Sequence, residues 1–400
     1  MIKMKTNILY IFHVSFLGGG SLCLLNLVKE LDKEKYNPIV LLKNWGPVCE
    51  ELKKIDATII IEPALNTVPY NRPLFEINSI RQIILMMLSI RKVKYWIKKT
   101  NAQIVHINTM MMYPYAIPGF ALNRKVIVHI REHWPIDEHF LQSKFARKII
   151  DKYADLIISI NKTSAEIINL PHKTEIIYDW INFKDRDKFI DFKNIFGNDH
   201  EALKVFLFLG GIQKTKGSLQ IVKIFSENIK SKDARLLFVG SDSKQISYQG
   251  IKGVIKKLLH LFNYFTYSDR IKKIAQQDGR IVFIPSTNQV KSLFEQSYCT
   301  VVFPTIPHAI IPIAESIYLG KPIISAETPE ALEYSNQGKG ATLFKMNDED
   351  DFIKKLIYIS QNKEKIYNKS FDNSNFVKEL FSLEKNTSKL NRLYLKLLEN

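Results

Sequence analysis

Short apolar runs alternate with longer segments of helical periodicity along the whole chain. Runs of four or five apolar residues are typical of strands buried on both faces, and helical segments between them favour parallel pairing. The runs are Ile8 to Phe12, Pro38 to Leu42, Thr58 to Ile61, Ile104 to Ile107, Val126 to Ile130, Leu156 to Ile160, Thr174 to Tyr178 and, in the second half, Val205 to Leu209, Arg235 to Val239, Arg280 to Ile284, Thr300 to Phe303 and Pro322 to Ser325. The pattern predicts two doubly wound α/β domains with Rossmann-like parallel sheets.

A charged segment without clear periodicity separates the two series of runs. We interpret residues 184–203 as a linker between an N-terminal domain, residues 1–183, and a C-terminal domain, residues 204–385. Four leucines near the end of the chain are spaced for one helical face: Leu390, Leu393, Leu397 and Leu398. This spacing predicts that a last helix, residues 386–400, packs against another part of the protein.

The chain is strongly basic. Its 400 residues include 57 Lys and Arg against 40 Asp and Glu, which gives a formal net charge of +17. Such an excess favours an anionic partner: a nucleotide, an anionic membrane surface or a nucleic acid. We do not expect nucleic-acid binding, because no recognised module or basic platform interleaved with aromatic residues occurs.

The cysteines and the N-terminus indicate the compartment. Cys23, Cys49 and Cys299 are scattered and lack CxxC or histidine spacing, so neither a disulfide framework nor a metal site is predicted. His13 interrupts the first apolar run, and no small-residue cleavage pattern follows it. The longest apolar run, residues 83–90, is far shorter than the ~20 residues of a membrane-spanning helix. We expect a cytoplasmic protein that can also lie on the inner face of the cell membrane.

A glycine-lysine loop is the first segment that suggests chemistry. In VFLFLGGIQKTKG, residues 205–217, the apolar run ends at Gly210 and Gly211, and Lys216 precedes Gly217 and a helical pattern. This order of residues brings a backbone loop and one ammonium group to a phosphate.

A short helix with a carboxylate is the second such segment. In PHAIIPIAESIYLGKPIIS, residues 307–325, Pro312 suits the first helical position and Gly320 the residue after the last turn. The predicted helix runs from Pro312 to Leu319. Its N-terminal amides, from Ala309 to Ile311, would face an anion, with Glu315 one turn further along.

Nearly the whole chain resembles the retaining glycosyltransferases of family 4. The resemblance rests on the order and spacing of GGGSLCLLNLVKEL, AQIVHINT, VIVHIREHW and ADLIISINKTS in the first half, and of the glycine-lysine loop, ARLLFVGSD, GRIVFIP and the Glu315 helix in the second. It implies the GT-B architecture, in which two Rossmann-like domains face each other across a cleft and the last helix returns to the first domain. It also implies sugar transfer from a nucleotide-sugar donor with retention of configuration, without a metal ion or another cofactor.

The resemblance assigns roles to individual residues. His129 matches the histidine that reaches the donor sugar, Lys216 would stabilise charge growing on the leaving diphosphate, and Glu315 would accept hydrogen bonds from the ribose hydroxyls. Further substrate contacts are implied for Gly18, Gly19, Gly20, Asp179, Gly210, Gly211, Lys214, Ser241, Asp242, Ile284, Pro285, His308, Ala309, Ile310 and Ile311. Each of these roles has a structural alternative, since glycine suits any tight turn and a carboxylate complements a helix dipole.

Two positions depart from the family pattern. Gly211 stands where the family has an arginine that shares the diphosphate charge, and Lys214 is the nearest substitute. Pro307 stands eight positions before Glu315, where the family has another glutamate, and His308 lies beside it. Either the donor is held differently or catalysis is impaired, so a catalytically weak glycan-binding or partner subunit stays an alternative.

Two basic, apolar segments indicate where a membrane surface would contact the protein. Residues 79–99 and 250–267 combine apolar residues at helical spacing with Lys or Arg, although a helix facing its own core gives a similar pattern. We expect transfer to a glycan acceptor, lipid-linked, in bacterial lipopolysaccharide or capsule biosynthesis. A sugar-nucleotide epimerase on a related two-domain scaffold is the nearest enzymatic alternative.

Overall fold

The chain folds into two compact units. The structure is a computed structural model, and it describes residues 5–69, 73, 75–134, 140–183, 189–241, 265–287 and 289–399. The first unit comprises Met1–Trp180 and Phe381–Asn400, and the second comprises Ile181–Leu380. Each is built around a parallel sheet, which confirms the prediction of two Rossmann-like domains.

The first unit contains a seven-stranded sheet within the described residues. Its strands are β1 (Thr6–Phe12), β2 (Tyr36–Leu42), β3 (Thr58–Ile61), β4 (Ile104–Ile107), β5 (Lys125–Ile130), β6 (Leu156–Ser159) and β7 (Thr174–Ile176). They lie in the order β3-β2-β1-β4-β5-β6-β7, and neighbouring strands are parallel. Every strand coincides with a predicted apolar run, apart from small differences at the ends.

Helices cover both faces of this sheet. They are α1 (Gly19–Lys29), α2 (Pro47–Lys54), α3 (Ile77–Lys99), α4 (Ala116–Phe120), α5 (Phe140–Tyr153) and α6 (Lys162–Ile168). One core contains Val93 of α3 and Ile150 of α5, and the other contains Leu24 of α1 and Leu52 of α2. Burial on two faces explains why the strands read as continuous apolar runs.

The second unit contains a six-stranded sheet in the part of the chain that the structure describes. Its strands are β8 (Lys204–Phe208), β9 (Ala234–Val239), β10 (Ile281–Ile284), β11 (Cys299–Val301), β12 (Ile323–Ala326) and β13 (Thr342–Phe344). The order is β10-β9-β8-β11-β12-β13, again with parallel neighbours. The sequence pattern missed β13, because only three residues pair and no continuous apolar run marks them.

Nine described helices surround this second sheet. They are α7 (Phe192–Phe196), α8 (Ser218–Asn228), α9 (Tyr267–Gln277), α10 (Val290–Gln296), α11 (Ile311–Tyr318), α12 (Pro329–Tyr334), α13 (Glu349–Gln361), α14 (Lys363–Asp372) and α15 (Ser374–Leu380). The predicted linker, residues 184–203, lies partly outside the described residues. Its described part packs on the second unit, where Phe192 is buried with Leu207 and Phe294.

The last helix, α16 (Leu383–Glu399), belongs to the first unit. Leu390 and Tyr394 are buried in the same core as α1, whereas Leu398 remains partly exposed. The Asn386 side-chain oxygen accepts a hydrogen bond from the Tyr178 amide at 3.1 Å. None of the described helices combines the length and apolarity needed to cross a membrane.

Candidate functional site

In the second unit, β8 and β11 are neighbours at the point where the strand order reverses. The chain leaves them toward opposite sides of the sheet, so a crevice forms at their carboxyl ends. A cavity of about 40 Å³ lies there, lined by Phe208, Leu209, Gly210, Lys216, Val301, Val302, His308, Ala309, Ile310 and Pro312. The fold thus brings together the two motifs that suggested an anion site.

The loop that carries Lys216 is stabilised by its own hydrogen bonds. The Ser218 hydroxyl accepts a hydrogen bond from the Gln213 amide at 2.8 Å and donates to the Gly211 carbonyl at 2.7 Å. Ser218 is fully buried at the start of α8. The side chain therefore joins both ends of the loop and limits its motion.

Gly217 sets the contact between this loop and the loop after β11. Its φ is +64°, a left-handed conformation that suits glycine. A Cβ at this position would lie 2.1 Å from the carbonyl oxygen of Phe303. The Thr305 amide also donates to the Thr215 carbonyl at 3.0 Å. Close backbone contact, which depends on glycine, therefore fixes the two loops against each other.

Lys216 lines the cavity and brings an ammonium group to it. The side chain is half-buried, and its ammonium makes no hydrogen bond or ion pair with any described residue. Burial lowers the pKa of Lys216, because the charged form loses solvation. Lys214 differs, since it is exposed and its ammonium lies 5.8 Å from the centre of the Tyr267 ring. A bound anion would offset the desolvation of Lys216.

The first turn of α11 faces the same cavity. Ala309, Ile310 and Pro312 line it, and the helix begins at Ile311. Amide groups at a helix N-terminus carry partial positive charge and attract anions. Glu315 lies one turn further along and is 8% exposed. The arrangement can hold a phosphate between a lysine and a helix start.

Backbone hydrogen bonds join the loops after β8, β9 and β10. The Gly211 amide donates to the carbonyl of the last residue of β9 at 3.0 Å, and the Ser241 amide donates to the Ile284 carbonyl at 3.2 Å. Of the residues predicted to contact substrate, Ser241, Ile284 and Pro285 lie on this edge, whereas Asp242 lies outside the described residues.

In the first unit, the strand order reverses between β1 and β4. Gly18 caps α1, and Gly19 and Gly20 are its first residues. The Gly18 amide donates to the Ser21 hydroxyl at 2.9 Å, and that hydroxyl donates to the Phe16 carbonyl at 2.7 Å. The positive end of the α1 dipole therefore lies at the carboxyl end of β1.

His129 lies at the end of a buried chain of hydrogen bonds. Its Nδ1 is 3.1 Å from His106 Nε2, and His106 Nδ1 is 2.8 Å from the Tyr394 hydroxyl on α16. The Tyr394 hydroxyl is 3.1 Å from that of Tyr10. Burial lowers the pKa of His106 to about 3 and that of His129 well below its usual value, so both rings are neutral. Sequence reasoning missed Tyr394, because it lies 288 positions from His106.

Asp179 forms an ion pair with Arg131 inside the first unit. Arg131 Nη1 lies 2.6 Å from both carboxylate oxygens, and Arg131 Nε donates to the Asn108 side-chain oxygen at 3.1 Å. The side chains of Arg131 and Asp179 are 6% and 14% exposed. Asp179, for which a substrate contact stays a prediction, is the counter-ion of Arg131 in the structure. Neither Arg131 nor Asn108 was among the predicted site residues, although Arg131 lies in the motif VIVHIREHW.

Hydrogen bonds hold the Glu132 side chain at the same edge of the sheet. Its carboxylate accepts hydrogen bonds from the Thr109 hydroxyl and from the Met110 amide, the latter at 2.9 Å. Burial raises the pKa of Glu132, although these donors oppose the rise. Glu132 therefore joins the end of β5 to the segment that follows β4.

Four buried nitrogen atoms at this edge have no hydrogen-bond partner among the described residues. They are His13 Nδ1, Asn108 Nδ2, His129 Nε2 and Arg131 Nη2. These residues lie on or directly after β1, β4 and β5, which are neighbours in the sheet. Buried polar atoms are rarely left unpaired, so the cluster can form hydrogen bonds with a polar ligand.

Two family matches cover most of the sequence. Residues 17–184 match the family described as Glycosyltransferase Family 4, and residues 191–374 match Glycosyl transferases group 1. The chain belongs to the family 4 glycosyltransferases. No curated protein sequence matches this glycosyltransferase.

Solved structures share the fold of this glycosyltransferase over nearly its whole length. HepE (Alr3699) from Anabaena, solved with UDP-glucose, is 16% identical with a TM-score of 0.72, covering 98% of this chain and 99% of HepE. A glycosyltransferase from Rickettsia africae is 17% identical with a TM-score of 0.73, covering 99% of each chain. Sucrose-phosphate synthase from Thermosynechococcus elongatus is 14% identical with a TM-score of 0.69, covering 99% of this chain and 100% of the synthase. At these identities the likeness establishes the fold.

Proposed function

We propose that this glycosyltransferase moves a sugar, with retention of configuration, from a UDP-sugar to a lipid-linked glycan acceptor in surface polysaccharide biosynthesis. The observation that carries the proposal is the ammonium of Lys216, which has no partner among the described residues, at the cavity beside the start of α11. Uridine is favoured as the base because HepE, which shares the fold, was solved with UDP-glucose.

The second unit supplies the groups that a leaving diphosphate needs. Breaking the sugar–phosphate bond leaves growing negative charge on a phosphate oxygen, and preorganised positive groups lower the barrier. Lys216 provides a full charge, and the amides from Ala309 to Ile311 provide partial charges. Glu315 would accept hydrogen bonds from the ribose. The proposal assigns all charge neutralisation to these groups, without a metal ion, and the leaving phosphate takes the acceptor proton.

The first unit supplies donors for sugar hydroxyls. His129 Nε2, Arg131 Nη2 and Asn108 Nδ2 are buried and lack partners in the described part of the chain. A sugar offers several oxygen atoms at short spacing, so it matches a cluster of separate donors better than a single anion does. We assign the transferred sugar to this edge of the first unit.

Backbone geometry supports the first of the two departures from the family pattern, the glycine at position 211. Gly211 has φ +58°, and a Cβ there would lie 3.3 Å from the Gly240 carbonyl, so an arginine at this position would be strained. His308, next to Pro307, donates from Nδ1 to the Ile306 carbonyl at 2.9 Å. This bond orients the imidazole ring beside Pro307.

Calorimetric titration with UDP, GDP, ADP, CMP and dTDP tests the proposal. We expect selective binding of UDP, weakened at least about tenfold in the Lys216→Ala, Glu315→Gln double variant. Equal binding by the variant, or no nucleotide binding by the wild type, would support the non-catalytic alternative. Incubation with UDP-sugars alone is the second arm, because an epimerised free nucleotide sugar would instead identify an epimerase.

An exposed apolar and basic surface on α3 supports the lipid-linked acceptor. This helix and the residue before its cap expose large apolar side chains: Phe75, Ile77, Ile80, Ile84, Leu85, Met87, Leu88 and Tyr95. Exposed basic residues follow on the same helix: Arg81, Arg91, Lys92, Lys94, Lys98 and Lys99. Apolar area flanked by positive charge matches an anionic bilayer surface. The second predicted segment, residues 250–267, lies almost wholly outside the described residues.

Sedimentation with liposomes tests this surface. Ile84 and Leu88 are 54% and 64% exposed and one turn apart, so Ile84→Ser with Leu88→Ser should lower binding to anionic liposomes at least about tenfold. Phe189→Ser is the control, because Phe189 is 64% exposed in the second unit. Equal losses in both variants, or no wild-type binding at low salt, would remove the membrane from the proposal.

A further inference from the structure

The buried hydrogen-bonded side chains from Tyr10 to His129 carry one more donor hydrogen than the hydrogen bonds between them require. Tyr10, Tyr394 and the neutral rings of His106 and His129 each carry one N–H or O–H donor in this chain. These four donors share the three hydrogen bonds described above. One donor must therefore remain unpaired, and it lies at one end of the chain: on the Tyr10 hydroxyl or on His129 Nε2.

The surroundings of the two ends differ. Tyr10 is fully buried in an apolar core that includes Ile8, Leu24 and Leu27. An unpaired hydroxyl hydrogen there has no ligand that can reach it, and it costs the full desolvation of a donor. His129 Nε2 belongs to the group of unpaired nitrogens at the carboxyl edge of the sheet, where a ligand can accept its hydrogen.

The hydrogen bond between Tyr394 and His106 also favours an unpaired hydrogen on His129 Nε2. Tyr394 and His106 Nδ1 are only 2.8 Å apart. A phenol is a stronger acid than a neutral imidazole N–H, and an imidazole nitrogen is a stronger base than a phenol oxygen. Tyr394 therefore donates to His106 Nδ1. The His106 proton must then lie on Nε2 and point to His129 Nδ1, which accepts it.

We propose that Tyr394, acting through His106, fixes His129 as the tautomer with its proton on Nε2. His129 then presents a donor, not a lone pair, to the ligand. Arg131 does not compete for this position, since its guanidinium bonds Asp179 and Asn108 and makes no hydrogen bond to His129. Tyr394 is thus a positioning residue from the last helix for a contact made by β5.

The proposal specifies what the ligand must offer at this point. An N–H donor pairs with a hydroxyl or carbonyl oxygen and disfavours a protonated amine. Resting on the proposed function, we assign the partner as a hydroxyl oxygen of the transferred sugar. A donor sugar with this hydroxyl replaced by hydrogen would leave a buried N–H unpaired, and such an unpaired donor is a strong basis for discrimination.

Nitrogen NMR of histidine-labelled protein tests the tautomer independently of activity. Protonated and unprotonated imidazole nitrogens have distinct shifts, and the signals of His106 and His129 are assigned from single variants at each position. We expect both rings to carry hydrogen on Nε2 in the wild type. A proton on Nδ1 of His129 would overturn the proposal, whether or not the protein transfers sugar.

Two matched tyrosine variants test the role of Tyr394. Tyr394→Phe removes the donor to His106, so His129 should show a mixture of tautomers, and kcat should fall a few-fold to about tenfold with an unchanged KM for the acceptor. Tyr36→Phe is the control, because the Tyr36 ring lies 5.7 Å from that of Tyr394 while its buried hydroxyl has no hydrogen-bond partner among the described residues. If His129 keeps its wild-type tautomer in Tyr394→Phe, the proposed role of Tyr394 is contradicted. The same mixture of tautomers in Tyr36→Phe would contradict it too. Absence of transfer in the wild type with the expected NMR pattern would contradict only the proposed function.

Discussion

Lys216→Met should abolish most sugar transfer, lowering kcat/KM by about 100-fold or more while leaving the protein folded. The ammonium of Lys216 has no partner among the described residues, so its charge is available to a diphosphate. Methionine keeps the apolar stem and opens no cavity. Steady-state transfer from UDP-sugars and UDP calorimetry measure the loss.

The same variant should be at least as stable as the wild type. Burial without a counter-charge lowers the pKa of Lys216, so the protonated form that prevails at neutral pH disfavours the folded state. Removing the charge removes that cost, which thermal unfolding at neutral pH will show. A midpoint well below that of the wild type would mean that Lys216 has a structural partner.

Lys214→Ala separates two ways of holding the diphosphate. Lys214 lies in the same 3₁₀ turn but is exposed and rests near the Tyr267 ring. We expect less than about a fivefold loss of kcat/KM, typical of a solvent-screened charge. A loss as large as that of Lys216→Met would show that Lys214 takes the role of the arginine that Gly211 replaces.

The strands could be predicted from sequence because their burial on both faces leaves a continuous apolar signal. This signal fails where an element is short or covered by distant residues. β13 pairs through only three residues, and α7 is stabilised by burying Phe192 against the second sheet, although its neighbours in sequence are charged. Local pattern cannot report such contacts, since they depend on what the rest of the chain brings near.

The same difference between local patterns and long-range contacts applies to the candidate site. Lys216 and Glu315 could be proposed as candidates from the sequence, because each lies in a motif whose order of strand, glycine and helix is local. The link from His129 through His106 to Tyr394 could not, because α16 is far away in sequence and a buried tyrosine at helical spacing is indistinguishable from core. The ion pair of Arg131 with Asp179 was missed for the same reason, since its partners lie 48 positions apart.

Gly217→Ala should destabilise the second unit by about 3 kcal/mol or more. Alanine at φ +64° is strained, and its Cβ would lie 2.1 Å from the Phe303 carbonyl oxygen, a backbone atom that can move only with the end of β11. The displacement would also separate the Lys216 loop from the start of α11. Chemical denaturation should show the loss of stability, and UDP binding should weaken with it.

Alanine substitutions at two other glycines distinguish the effect of backbone strain at Gly217 from that of the steric clash with Phe303. Gly197 has φ +87° with no atom within 4 Å of an added Cβ, so Gly197→Ala should cost only about 1–2 kcal/mol, the price of the backbone conformation. Gly279 has open space and no left-handed φ, so Gly279→Ala should change stability by less than about 0.5 kcal/mol. If Gly217→Ala lowers the free energy of unfolding no more than Gly197→Ala does, the backbone at Phe303 can move away at little cost. The two loops would then be free to move apart, and Lys216 would be positioned by the ligand and not by the fold.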